Sequence, residues 1–373
     1  MELQEETRSL KTMWTITNLK TLSAILFLVC SFHMGGQEID SVKMEQIDVI
    51  ARQLYDSNSF LLKESALQSK RSKDFSFPWS QNFYSRTTLE AYLKKLEKNA
   101  EISIENDGFQ GNQLTLSSYL PEDQNNSIFT SYDLEIIKSE ITNEKNDTIQ
   151  IGGFKSRSFG YEQQCSSEDK KKVAELCKTI EVNFAIPKLE ATALRGTLIW
   201  NGKFVSGYSY ERITKNNRNI PIILNDLEFT VIDIIDNKIV ISHKNKEDLL
   251  LNDLSFINID KNGNKIEAIP YSDYLNSKKR DSLNELPRVA NSRHTVQSYN
   301  YSVFKNNPDL SFNDYKKMIH KKILRILGSD NPKEMFKKEF GEHYVVISTV
   351  DIIENLYFYT PNYVQKECTT QLK

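Results

Sequence analysis

The spacing of apolar residues near the N-terminus predicts two helices. Apolar side chains recur at intervals of three and four residues over 41–57, which indicates an amphipathic helix. The same spacing over 87–99 predicts a second helix, in which Thr87 and Glu90 have the separation of a capping box.

After residue 100 the apolar period changes from 3.6 to 2, which is typical of antiparallel strands. Asp236 with Asn237 predicts a tight turn between two strands rich in β-branched residues. Asn262 with Gly263 predicts another, since both tolerate a positive φ. The predicted strand segments are 100–105, 112–120, 132–142, 147–154, 179–187, 193–213, 227–244 and 254–271.

The last third of the chain returns to helices. A polar stretch, 274–297, favours a linker or exposed loop, and capped helices follow over 311–328 and 330–341. Two short strands then close the chain. The pattern predicts an α+β fold, predominantly antiparallel β, with a central β-sandwich and flanking helices. The predicted segments are a signal peptide at 1–36, an N-terminal α+β region at 37–164, a β-sandwich domain at 165–285, a linker or exposed loop at 286–310, and C-terminal helices and closing strands at 311–373.

The N-terminus carries the features of an export signal. Lys20 precedes an apolar core at 22–30, which is shorter than the roughly 20 residues that a membrane-spanning helix needs. Small residues follow at Gly35 and Gly36, which favours a cleaved signal peptide of residues 1–36. We therefore expect an exported protein, periplasmic or cell-surface.

Two alternatives remain open in this segment. Translation from Met13 would remove the acidic residues that precede the core and leave Lys20 as its only charge, so either Met1 or Met13 is the start. Cys30 is a candidate lipidation site, although Val29 occupies the position where bacterial lipoproteins usually have a small residue. Contact with a membrane is expected only through the leader or through a lipid on Cys30.

Charge and cysteine content narrow the classes of partner. The formal net charge of −2 gives no electrostatic footprint for nucleic acid.

In an export compartment Cys165 and Cys177 form a candidate disulfide. However, Ser166 or Ser167 would cap a helix between them, and twelve helical residues would separate the two Cα atoms by about 18 Å. A bridge requires the chain to double back within that segment.

Candidate binding residues are aromatic. The segment 75–83 contains Trp79 among three phenylalanines, and Trp200 lies in a predicted strand. Either tryptophan could lie at the edge of a ligand-binding groove. Alternatively, the same aromatic residues could cover the open edge of the hydrophobic core. The segment 258–269 resembles a calcium loop, but Ile269 replaces its bidentate glutamate, so a hairpin accounts for it without metal.

No sequence motif assigns catalysis or a cofactor. The chain has no nucleophile elbow, phosphate loop or zinc-binding helix, and its histidines are scattered. We expect no cofactor and no metal, and we lean away from an enzyme. Carboxylates brought together by folding would still make a hydrolase.

Residues 165–243 resemble a loose group of uncharacterised exported Bacteroidota proteins. The likeness rests on CSSEDKKKVAELC, the Gly-Thr at the start of a strand, and LEFTVIDIIDNKIVI. The resemblance implies a periplasmic or cell-surface β-sandwich and supplies no catalytic residues. The leading expectation is therefore an exported binding or scaffolding protein with an unknown protein or glycan partner. The alternatives are a periplasmic hydrolase of glycans or cell-wall material and a lipid-anchored envelope assembly factor.

Overall fold

The fold is α+β and mostly antiparallel β, as the residue pattern predicts. The structure is a computed structural model. It describes residues 39–372 except 60, 62–68, 108–110, 122–131, 150, 152–153, 163–176, 187–193, 244–253 and 270–291.

Capping residues mark the N-termini of two C-terminal helices. Ser311 caps one by accepting a hydrogen bond from the Asp314 amide, and Asn331 caps the next, in which Pro332 takes the first position. The helices in the described residues are α1 (Ile39–Asn58), α2 (Arg86–Lys98), α3 (Ser298–Asn306), α4 (Phe312–Leu327) and α5 (Pro332–Phe340).

The strands occupy most of the remaining described chain. They are β1 (Ser69–Ser72), β2 (Glu101–Asp107), β3 (Gly111–Pro121), β4 (Tyr132–Ser139), β5 (Thr142–Asn143), β6 (Phe154–Glu162), β7 (Cys177–Ala185), β8 (Leu194–Ile213), β9 (Pro221–Leu224), β10 (Leu227–Ile235), β11 (Lys238–His243), β12 (Ser255–Ile259), β13 (Lys265–Ala268), β14 (Ser292–Gln297), β15 (His343–Ser348) and β16 (Asn355–Leu372).

Contacts divide the chain into two compact units. Unit 1 contains the described residues up to Phe75 together with Tyr210–Tyr359, and unit 2 contains Ser76–Ser209 with the residues from Thr360. The boundary at Ser209 and Tyr210 falls inside the segment 165–285, which the turn signals favoured as one domain. It falls within β8, a strand of 20 residues that continues through the boundary.

Unit 1 contains a five-stranded antiparallel sheet in the order β14-β15-β11-β10-β9. Both faces of β11 are covered, which explains its unbroken apolar run: Ile239 and Ile241 pack with Phe229 and Phe358, while Val240 packs with Tyr301 of α3. Unit 1 also contains β1, β13, β12 and the first residues of β16, which are consecutive strands of a seven-stranded sheet. The helices α1, α3, α4 and α5 share a separate apolar core.

Unit 2 contains a four-stranded sheet, β2-β3-β7-β6, and the strands of the seven-stranded sheet in which β8 pairs with β4 and β16. Both sheets and α2 contribute to one core. Gly202 of β8 lies against this core, because an added Cβ would come within 2.9 Å of the Trp200 ring and 3.1 Å of a Leu93 methyl group. The absence of a side chain at residue 202 therefore lets α2 pack closely on β8.

Two expectations from the sequence are wrong. Residues 286–310 are not a linker throughout, because 292–306 form β14 and α3, in which Tyr301 and Phe304 are buried. The polar residues of 292–297 gave no clear strand signal, although they form β14. The N-cap of α2 is Ser85, whose hydroxyl accepts from the Thr88 amide, so the helix begins before the proposed capping box at Thr87.

Candidate functional site

An aromatic segment precedes α2 in unit 2. Pro78–Ser80 form one turn of 3₁₀ helix, held by the Ser80 amide and hydroxyl, which both donate to the Phe77 carbonyl. Phe77 is extended, as expected before proline. This turn stacks the rings of Phe77 and Trp79, with centroids 4.6 Å apart and planes inclined by 20°.

The same segment is fixed to unit 2 at its other end. Phe83 packs edge-on against Tyr208 of β8 at 5.8 Å, and Tyr84 packs edge-on against Tyr92 of α2 at 5.9 Å. Edge-to-face geometry is the favoured arrangement for aromatic pairs. We use the name aromatic surface for the set of partly exposed side chains that results: Phe77, Trp79, Phe83, Tyr84 and Tyr208.

The two candidate tryptophans have opposite environments. Trp79 is partly exposed and belongs to the aromatic surface. Trp200 is completely buried, and its indole N–H donates to the Thr370 hydroxyl at 3.0 Å. The proposal of Trp200 as a binding aromatic is therefore wrong, because a fully buried indole with a satisfied donor belongs to the core. Alternation along β8 turns residue 200 inward with Leu198 and Phe204.

The cysteine predictions stay predictions. Cys30 and Cys165 lie outside the described residues, and so does most of the segment in which a helix was expected. Cys177 is the first residue of β7, but its side chain is not among those the structure describes. Cys368 of β16 is a buried free thiol, and its burial raises the pKa to about 11. Such a thiol is a poor nucleophile at neutral pH.

A buried carboxylate in unit 1 was not anticipated from the sequence. Asp233 follows an irregularity in the pairing of β10 with β11, where the register shifts after Val231. Its Oδ1 accepts from the Ile234 amide at 2.8 Å and contacts Arg218. Its Oδ2 accepts from the Tyr301 hydroxyl at 2.8 Å and from Lys305. The one signal was a charged residue within the apolar run TVIDII.

These contacts determine the ionisation of the Asp233 group. Burial alone would raise the pKa of Asp233, but the hydrogen bonds from Lys305, Tyr301 and the Ile234 amide outweigh it and lower the pKa. Burial raises the pKa of Tyr301, and its hydrogen bond to the carboxylate raises it further. At neutral pH the group therefore contains an ionised Asp233 and a neutral Tyr301.

The calcium-like segment folds as the hairpin between β12 and β13. Gly263 has a positive φ of 84°, as the turn requires. The Asp260 carboxylate accepts from the amides of Asn262 and Asn264 and from the Asn264 side chain, and Arg71 lies 3.5 Å from it. Arg71 also donates to Asp351 at 2.8 Å. The oxygen atoms expected of a cation site thus stabilise the turn and an ion-pair network.

The described residues contain no group of three or more histidine, cysteine, aspartate or glutamate side chains that could hold a metal ion. Within those residues, no helix has both the length and the apolar content needed to span a bilayer.

Comparison with known proteins adds no relationship. No protein-family model matches the chain, and neither a curated protein nor a solved structure matches it.

Proposed function

We propose that this chain is an exported bacterial protein of the periplasm or cell surface that binds a partner, and that the aromatic surface around Trp79 contacts it. The leader at 1–36 and the resemblance of residues 165–243 support export. We further infer that the antiparallel sheets form a β-sandwich scaffold. A lipid on Cys30 would keep the same protein at the envelope.

The stacked pair of Phe77 and Trp79 carries the proposal. Both rings are partly exposed, and the 3₁₀ turn that stacks them fixes their orientation before any ligand arrives. Rigid aromatic side chains offer a large contact area at a small cost in conformational entropy. A glycan is the partner class that this surface fits best, because the C–H face of a sugar ring packs on a flat indole.

Three buried or partly buried carboxylates also favour binding over hydrolysis. Asp233 and Asp260 each accept several hydrogen bonds from the protein, and Asp351 accepts from Ser69, Arg71 and the Ile352 amide. A general acid or base has to present an oxygen to the substrate. In the described residues, these three carboxylates stabilise the protein's own turns and strands instead.

Binding of soluble polysaccharides tests the proposal. We would titrate the mature protein with a glucan, a mannan and solubilised peptidoglycan fragments by calorimetry, and then compare Trp79→Ala with Tyr363→Ala. Tyr363 is a matched control, because it is an exposed aromatic of unit 2 outside the aromatic surface. We expect at least one polysaccharide to bind and Trp79→Ala to weaken that binding about tenfold or more, as for a central interface residue.

Two other outcomes would contradict the proposed function or replace it. If no polysaccharide in the panel binds, or if Trp79→Ala binds as tightly as the wild type, the glycan proposal is wrong. Release of shorter sugars from the polysaccharide would instead establish the hydrolase alternative.

A further inference from the structure

The contacts of Asp233 in unit 1 leave an excess of positive charge at the surface. Two cations, Arg218 and Lys305, both approach this one carboxylate. The Asp233 side chain is 5% exposed, whereas the Arg218 and Lys305 side chains are 43% and 45% exposed. The two cations therefore shield a buried charge on one side and face solvent on the other, and the three groups together carry a net charge of +1.

The carboxylate has no capacity for a further donor. Each oxygen accepts two hydrogen bonds or ion contacts, from Ile234 and Arg218 on Oδ1 and from Tyr301 and Lys305 on Oδ2. A carboxylate has about four acceptor positions, so all are used. Asp233 consequently acts as a fixed anchor for the two cations.

The cations, in contrast, retain unused donors. Arg218 uses Nη2 for both Asp233 and the Ile234 carbonyl, which lies at 3.1 Å. Its Nε and Nη1 groups have no partner in the part of the chain that the structure describes. The Lys305 ammonium makes one hydrogen bond and lies 5.6 Å from the centre of the Tyr301 ring. The Arg218 guanidinium and the Lys305 ammonium thus keep N–H donors for an incoming acceptor.

Three separate segments hold these donors in place. Lys305 is in the last turn of α3, and Asp233 is in β10. Arg218 follows a 3₁₀ turn, Lys215–Asn217, that is closed by a capping box, and it forms a parallel bridge with Val231. Donors fixed before binding lose little conformational freedom when a ligand arrives.

We propose that Arg218 and Lys305 form a binding site for an oxyanion, a phosphate or carboxylate group, with Asp233 as the residue that positions them. Arg218 contacts Oδ1 and Lys305 contacts Oδ2 of the same carboxylate, so the two cationic groups lie side by side. Guanidinium and ammonium groups supply charge-assisted hydrogen bonds to the oxygens of an anion. The site belongs to unit 1 and does not depend on the aromatic surface.

Arginine-specific NMR tests this site in the intact mature protein. Inorganic phosphate, and separately acetate, would replace chloride at constant ionic strength while the Arg218 Nε–H resonance is followed. We expect a saturable shift with at least one anion. A response to phosphate alone would identify a phosphate group as the ligand, and a response to acetate would extend the site to carboxylates.

Matched variants localise the effect. Lys305→Gln retains the Arg218 contact with Asp233. It should lower the affinity for the anion by about tenfold, because one charge-assisted hydrogen bond is lost. Lys317→Gln, in an exposed ion pair with Asp314, should leave the affinity unchanged. The proposal is overturned if the Arg218 resonance moves linearly with the concentration of both anions and never saturates. It is also overturned if Lys305→Gln binds the anion as tightly as the wild type. The wild-type titration decides the matter even if a variant fails to fold.

Discussion

Replacement of Gly202 by alanine should destabilise unit 2, because this glycine sets the approach of α2 to β8. An added Cβ would lie 2.9 Å from the Trp200 ring and 3.1 Å from the Leu93 side chain, and both residues are fully buried. The indole cannot turn away without losing its hydrogen bond to Thr370. Overpacking of this kind typically costs about 1–3 kcal/mol.

The backbone effect of the substitution opposes this cost. Alanine in a strand is favoured over glycine by about 0.5–1 kcal/mol. We therefore expect a net loss of about 0–2.5 kcal/mol in the free energy of unfolding. Gly207→Ala is the matched control in the same strand, because its added Cβ would meet only the Asn362 side chain at 3.7 Å. That variant should be as stable as the wild type or slightly more stable.

Equilibrium unfolding in urea, followed by tryptophan emission, measures both variants, because unfolding exposes the buried Trp200. With a slope of about 2 kcal/mol per molar urea, the Gly202→Ala midpoint should fall by up to about 1.2 M and should lie below the Gly207→Ala midpoint. Equal midpoints for Gly202→Ala and Gly207→Ala would refute the close packing of α2 on β8.

Further predictions concern buried groups and the leader. Tyr301→Phe should lower the free energy of unfolding by about 1.5–3 kcal/mol, because it removes a hydrogen bond to the charged Asp233, whereas Tyr344→Phe should change it by less than about 0.5 kcal/mol in the same urea assay. Because the Asp233 pKa is lowered on folding, its stabilisation is present above about pH 4 and is lost as the pH falls, so Asp233→Asn should show a weaker acid dependence in thermal melts; an unchanged dependence would contradict this. Cys368, with a pKa of about 11, should resist alkylation at pH 8 in the native protein and react after unfolding, as peptide mass spectrometry would show; rapid native labelling would argue against its burial. N-terminal sequencing of the exported protein should find a start near residue 37; a chain that still contains the apolar core 22–30 would contradict cleavage, and a modified N-terminal Cys30 would establish lipidation.

Local patterns predicted the elements whose surroundings are simple. The helix α4 has one buried face with Tyr315, Ile319 and Ile323, so its apolar spacing was clear, and Ser311 and Gly328 marked its ends. The turns at Asp236 and at Gly263 required positive φ and contained residues that tolerate it. In these cases the interactions that decide the structure lie within a few residues along the chain.

Long-range contacts account for what the sequence concealed. Trp200 and Trp79 are the same residue type, and only the alternation along β8 and the packing of α2 determine which one is buried. Asp233 meets Lys305 across 72 residues, so no local motif could reveal the cluster. The helix α3 sits in a polar region, and its buried face forms only against β11 and the other helices.

The central claim is that the aromatic surface around Trp79 binds a partner. Iodide quenching of tryptophan emission tests this claim most directly. A protein that begins at residue 37 lacks Trp14 and has two tryptophans, of which Trp79 is partly exposed and Trp200 is fully buried. We predict a quenchable component that disappears in Trp79→Phe and that a bound polysaccharide protects in the wild type. Full access of iodide to Trp79 at a polysaccharide concentration that saturates the calorimetric titration would contradict the account.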